Sequence, residues 1–166
     1  MKNMSTRDFC MRFCACEDGT AWALKYADMR TCYEALLAGK AGVYSTSWAI
    51  WAATREGVMS DRDIRLLAVR CARRVQRLMN DERSVAALEV AERYARGEAT
   101  DAELSAAREA ALEVAERYAA KTAEDAAWDA ALAAWSAGAA AWEAERMAQL
   151  KILAEFGNPF EGEAEA

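Results

Sequence analysis

Residues 60–79 read SDRDIRLLAVRCARRVQRLM, and this stretch decides the fold class. Ile64, Leu67, Ala68, Cys71, Val75, Leu78 and Met79 recur at the three- and four-residue spacing of one helical face. Arg62, Arg65, Arg70, Arg73, Arg74 and Arg77 lie off that face. Ser60 with Asp63 resembles a capping box with aspartate in place of glutamate, and Asp61 suits the first turn. Downstream, Asn80 or Asp81 caps a helix that runs to Arg96 and ends at Gly97. Thr100 and Glu103 form a full capping box for a third helix of about 20 residues. Thr122 with Asp125 offers a restart for segment 123–155. A break or sharp kink is expected near Lys121 and Thr122, because one rod over both segments would be about 80 Å long and could not bury its alanine face.

Upstream the helices are shorter. Ser5 or Thr6 caps one that carries Phe9, Cys10, Phe13 and Cys14; Glu17, Asp18 and Gly19 are expected to break it. A short segment 21–27 follows, then Asp28 caps a helix with Met29, Cys32 and Leu36 that Gly39 ends. Segment 45–55 holds Trp48 and Trp51 and stops at Gly57. The expected fold is all-α: a helical bundle with short N-terminal helices and long alanine-rich C-terminal ones. Residues 1–58 form a small helical subdomain, 59–160 the bundle, and 161–166 a disordered tail.

The 166 residues make one domain, or one plus an appendage. There is no histidine, which removes Ser-His-Asp triads, Cys-His dyads and histidine metal ligands. One proline and eight glycines exclude collagen, proline-rich linkers and most turn-rich β folds. Residues 1–6 lack the start of a secretory signal, and the uncharged runs 43–54 and 130–142 fall short of the ~20 apolar residues that span a bilayer. Five cysteines then read as reduced thiols, and a cytoplasmic location is expected.

Charge is uneven. Residues 1–60 carry seven bases and six acids, 61–79 six arginines and two acids, and 80–166 eight bases and 19 acids, giving −6 overall. An acidic half attracts basic surfaces; the arginine helix does the reverse. The decapeptide AALEVAERYA occurs at 86–95 and again at 110–119, which points to duplication of an amphipathic helix with Leu, Val and Tyr inward. Trp128, Trp135 and Trp142, seven residues apart, read as the core of the bundle or as a self-association seam for a homo-oligomer.

The remaining constellations carry little chemistry. Cys10, Cys14, Cys16 and Cys32 lack the paired spacing of zinc ribbons and read as buried structural thiols, so no metal and no cofactor are expected. Glu89/Glu92, Glu113/Glu116 and Asp125/Asp129 lie one turn apart beside arginines, as solvated ion pairs do. With no phosphate loop or nucleophile elbow, the chain is not expected to be an enzyme. Arg70, Arg73, Arg74 and Arg77 are candidates for nucleic-acid contact; the alternative is pairing with glutamates of the two repeat helices. Gly157, Asn158 and Pro159 end the last helix and let Phe156 and Phe160 dock on the bundle, a linear recognition motif being the other reading.

The phrase WAIWAATREGVMSDRDIRLLAVRCARRVQRLMNDERSVAALEVAERYARGEATDAEL, the tail FGNPF at 156–160 and the opening RDFCMRFCACEDGTAWAL resemble an alanine-rich helical family of bacterial and prophage proteins. More remotely, the chain is similar to immunity proteins of polymorphic toxin systems, many of which carry histidines that it lacks. The resemblance implies a helical fold and a setting of mobile elements or bacterial conflict, and supplies no catalytic residue. The expected function is a protein-binding inhibitor, anti-CRISPR-like, that blocks a basic surface of a nucleic-acid-binding defence effector. Glu89, Glu92, Glu113, Glu116, Asp125 and Asp129 would steer it, and Tyr44, Trp48 and Trp51 would anchor it. The alternatives are an immunity protein for a cognate toxin and a homo-oligomeric helical scaffold. No membrane partner is expected.

Overall fold

The computed structural model describes residues 4–78, 82–115 and 139–161. These form eight α-helices: α1 (Thr6–Arg12), α2 (Glu17–Ala23), α3 (Met29–Leu37), α4 (Ser45–Ala53), α5 (Asp61–Val75), α6 (Glu82–Arg96), α7 (Asp101–Ala115) and α8 (Ala139–Ala154). Tight 3₁₀ turns at Gly42–Tyr44 and Gln76–Leu78 precede α4 and extend α5. No strand occurs among the described residues, and the all-α expectation holds. None of their helices is long and apolar enough to cross a membrane. Lys121 and Thr122, the expected break, and residues 162–166 of the tail lie outside the described residues.

Three capping sequences show how one methylene decides a cap. Ser5 accepts the Asp8 amide (3.2 Å) and Ser60 the Asp63 amide (3.1 Å), as the sequence predicts. Both aspartates are too short to reach back to the cap's own backbone; they accept instead from the cap hydroxyl, at 2.6 and 2.7 Å. Glu103 is longer and accepts from the Thr100 amide itself (2.8 Å), closing the box.

One expectation is overturned. Glu17, Asp18 and Gly19 do not break a helix; they begin α2, with the Cys16 sulfur capping the Gly19 amide at 3.3 Å. Two acids in the first turn favour the helix dipole. Gly19 is there for space: a Cβ would lie 3.1 Å from the Cys16 sulfur and 3.6 Å from Trp48 Cε2. The break falls earlier, at Cys14, whose φ of +52° turns the chain after α1.

α5 packs on α6 and α8, α6 on α7, and α4 on α3 and α8. One apolar cluster runs through Phe9, Met29, Cys32, Ile50, Leu67, Cys71, Leu88, Leu153 and Phe160, so the segments on either side of residue 58 share a core. The tail docks as expected: Phe160 sits edge-on to Phe9 and Tyr33, both at 5.4 Å, and Phe156 lies under Arg70 at 4.9 Å. The Tyr33 hydroxyl is buried in this cluster without a hydrogen-bond partner among the described residues. Tyr33→Phe is therefore expected to leave stability unchanged or raise it by up to about 1 kcal/mol in urea melts; a loss of that size would mean the hydroxyl has a partner.

Candidate functional site

Four arginines of α5, Arg65, Arg70, Arg73 and Arg74, are engaged by other side chains. Arg73 grips Glu92 of α6 (2.7 Å), Arg74 donates through Nε to both oxygens of the buried Glu145 on α8 (2.9 Å each), and Arg70 meets Glu155 at 2.7 Å. Arg65 lies 5.1 Å over the Tyr94 ring, and Arg77 is exposed. Pairing with glutamates holds for the first repeat helix, but the other partners come from the C-terminal end of the chain, because α5 is flanked by α6 and α8. The Arg73 hydrogen bond, strengthened by the Arg73 and Arg96 charges, keeps the Glu92 carboxyl below its ordinary range.

A different surface is open. The 3₁₀ turn before α4 holds Val43 and Tyr44 outward, each 52% exposed. Tyr44 stacks on Trp48 one turn into α4, at 5.0 Å and 11° between planes. Trp48 meets Trp22 of α2 at 5.8 Å, and Trp22 meets Tyr26 at 5.0 Å. Four rings thus form a continuous ladder across α4 and α2. Beside it opens a cleft of about 390 Å³, walled by Trp22, Trp48, Trp51, Phe9, Met29 and the thiols of Cys10, Cys14, Cys16 and Cys32.

Those thiols fall into two kinds. Cys10 and Cys32 are buried, and desolvation raises both, Cys32 to about 12. A hydrogen bond with Thr20 offsets part of the rise at Cys10. Cys14 and Cys16 are exposed, against the expectation that all four are buried, because α1 ends at Arg12 and leaves both in the turn that enters α2. All five cysteines are free, and among the described residues no three His, Cys, Asp or Glu side chains could hold a metal ion.

Cys14 occupies the left-handed position that glycine fills after α3, α6 and α8, at Gly39, Gly97 and Gly157. Cys14→Gly is expected to stabilise the fold by ~0.5–1 kcal/mol, read as a higher urea midpoint. A lower midpoint would show that the thiol's packing outweighs the backbone strain.

No protein-family model, curated protein or solved structure matches this chain. Its functional reading rests on its own residues.

The structure joins only part of the expected site. Tyr44 and Trp48 come together, but Trp48 and Trp51 are half-buried, not exposed: Trp51 is edge-on to Phe9 at 5.9 Å, with Arg55 over its ring at 5.0 Å. The helical period turns it toward the core, three residues on from Trp48. Glu89 is exposed on α6, while Glu92 is tied to Arg73 and Arg96. α6 packs on α5 and α7, whereas α4 packs on α3 and α8, so acids and aromatic anchors sit on separate helix pairs. Glu113 and Trp142 fall within α7 and α8; Glu116, Asp125, Asp129, Trp128 and Trp135 lie outside the described residues. Trp22 and Val43 belong to the open surface without having been named as site residues, and Asp18 was read only as part of a helix break. The i, i+4 pair Trp22/Tyr26 was the available signal, obscured by reading Gly19 as a break.

Proposed function

We propose that this chain is a non-enzymatic protein-binding inhibitor, of the anti-CRISPR-like kind, that covers a basic nucleic-acid-binding surface on its partner. The observation that carries this reading is the exposed Val43–Tyr44 ledge stacked on Trp48. A ring braced from behind loses little freedom on docking, and tyrosine and tryptophan dominate interface energetics. The net charge of −6 supports a basic partner. The engagement of Arg70, Arg73 and Arg74 by glutamates favours a protein over nucleic acid as that partner.

The test is nuclease-treated affinity capture from bacterial lysate expressing candidate defence complexes, with Tyr44→Ala in parallel. A stoichiometric nucleic-acid-binding protein, lost with Tyr44→Ala, is the expected result. Recovery of nothing but the bait, or of nucleic acid removed by nuclease, overturns the reading. With the captured partner, the association rate is expected to fall at least about tenfold between 50 and 500 mM salt. A flat rate would remove the electrostatic part of the proposal.

A further inference from the structure

The chain treats its own aromatic rings in two ways. Four of them carry an arginine guanidinium: Arg12 over Phe13, Arg55 over Trp51, Arg65 over Tyr94 and Arg70 over Phe156, all at 4.9–5.3 Å. The ladder of Tyr44, Trp48, Trp22 and Tyr26 carries none among the described residues, although its rings are the electron-rich kinds that bind cations best. Two acids stand beside it. Glu17 and Asp18, in the first turn of α2, are exposed and have no ion pair among the described residues. Gly19 brings that turn against Trp48: its absent Cβ would stand 3.6–3.8 Å from the indole Cε2 and Nε1. Asp18 is therefore one residue from the ring contact, and one helical turn before Trp22 on the same flank of α2.

We infer that the Tyr44–Trp48–Trp22 ladder, with Asp18 at its edge, is a receptor for an arginine side chain of the basic partner protein. A planar guanidinium stacks on an indole or phenol face and keeps its edge donors for a carboxylate, which a lysine ammonium cannot do with the same geometry. Its three-carbon stem lies along the apolar rim of the cleft. The inference rests on the protein-binding reading above and gives that reading its chemistry.

Capped tetrapeptides of arginine, lysine and citrulline are the probes, titrated into the full chain while the six indole N–H signals are followed by NMR. Citrulline keeps the planar shape of arginine but has a carbonyl oxygen in place of one nitrogen, so it loses the charge and two of the five N–H donors. The arginine peptide is expected to shift the Trp48 and Trp22 signals and to bind at least about tenfold tighter than citrulline and about threefold tighter than lysine. Tyr44→Ala and Asp18→Asn should each weaken it about fivefold, and Tyr44→Phe should restore most of the first loss. Glu56→Gln, which removes one exposed acid beyond the far end of α4, should change nothing. Equal binding of arginine and citrulline, or an equal loss with Glu56→Gln, overturns the inference in favour of stacking alone or of diffuse attraction. If the peptides fail while lysate capture still returns a Tyr44-dependent protein, the arginine site falls and the protein-binding reading stands. If capture fails too, both fall.

Discussion

Phe160→Ala is expected to cost about 3–5 kcal/mol, one of the two largest effects the structure implies. The ring is 3% exposed and wedged between Phe9 and Tyr33, edge-on to both. Its backbone cannot follow a smaller side chain inward. Asn158 donates to the Arg30 carbonyl at 3.1 Å and accepts from the Phe160 amide at 3.0 Å, so the turn is fixed on both sides of the gap. A site that cannot collapse keeps its cavity, and the cost lies at the upper end for phenylalanine. In a chain of this size the midpoint of thermal unfolding should drop by roughly 10 °C. A loss below about 1 kcal/mol would show that the FGNPF segment contributes little to the core.

The second large effect is alkaline unfolding. Cys32 and Cys71 are 2% and 0% exposed, and burial pushes each thiol from 9.0 to about 12. Above pH 9 the unfolded chain releases these two protons while the folded chain keeps them, so the unfolded state binds fewer protons and stability falls as pH rises. The loss is about 1.4 kcal/mol per pH unit for each thiol, or about 5 kcal/mol from the pair by pH 11. Cys10 and Tyr33, also raised by burial, act in the same direction.

On the acid side, Asp28, Glu92 and Glu103 are held below their ordinary values of 3.8, 4.5 and 4.5, mainly by hydrogen bonds from Thr31, Arg73 and Thr100 respectively. Their contribution is complete above those values and lost as pH falls through the lower folded ones. With no histidine, side chains add no slope of the usual imidazole kind between about pH 6 and 8. Urea melts from pH 3 to 11 should give a flat plateau with a steep alkaline edge. If the slope above pH 9 is unchanged in Cys32→Ala/Cys71→Ala, the buried thiols are not its source.

Much of the architecture was legible because helix punctuation is local. Ser5, Asp28, Ser60 and Thr100 cap the helices that follow them, and Gly39, Gly97 and Gly157 take the left-handed turns after α3, α6 and α8. Both rings of the FGNPF segment dock, because a helix stop followed by phenylalanine has an apolar surface in reach. What failed depended on side-chain contacts, most of them distant in sequence. Gly19 reads as a breaker, although the Cys16 sulfur that caps its amide leaves little room there for a Cβ. Trp48 and Trp51 look alike in sequence, yet one faces the ladder and the other Phe9. Arg74 was expected to find a repeat-helix glutamate and instead meets Glu145, which only the packing of α8 on α5 brings within reach.

The brevity of α2 bears on how its surface could work. A seven-residue helix has too few hydrogen bonds to offset its nucleation cost, so α2 exists only while tertiary contacts hold it. Here those contacts include its packing on α1, the burial of Ala23 in the common core and the Trp22–Trp48 pair. Separating Trp22 from Trp48 by opening α2 is then expected to need less free energy than global unfolding. An occupant of the ladder would bind only the closed form, and its presence would register as slowed amide hydrogen exchange along α2, in residues it never touches.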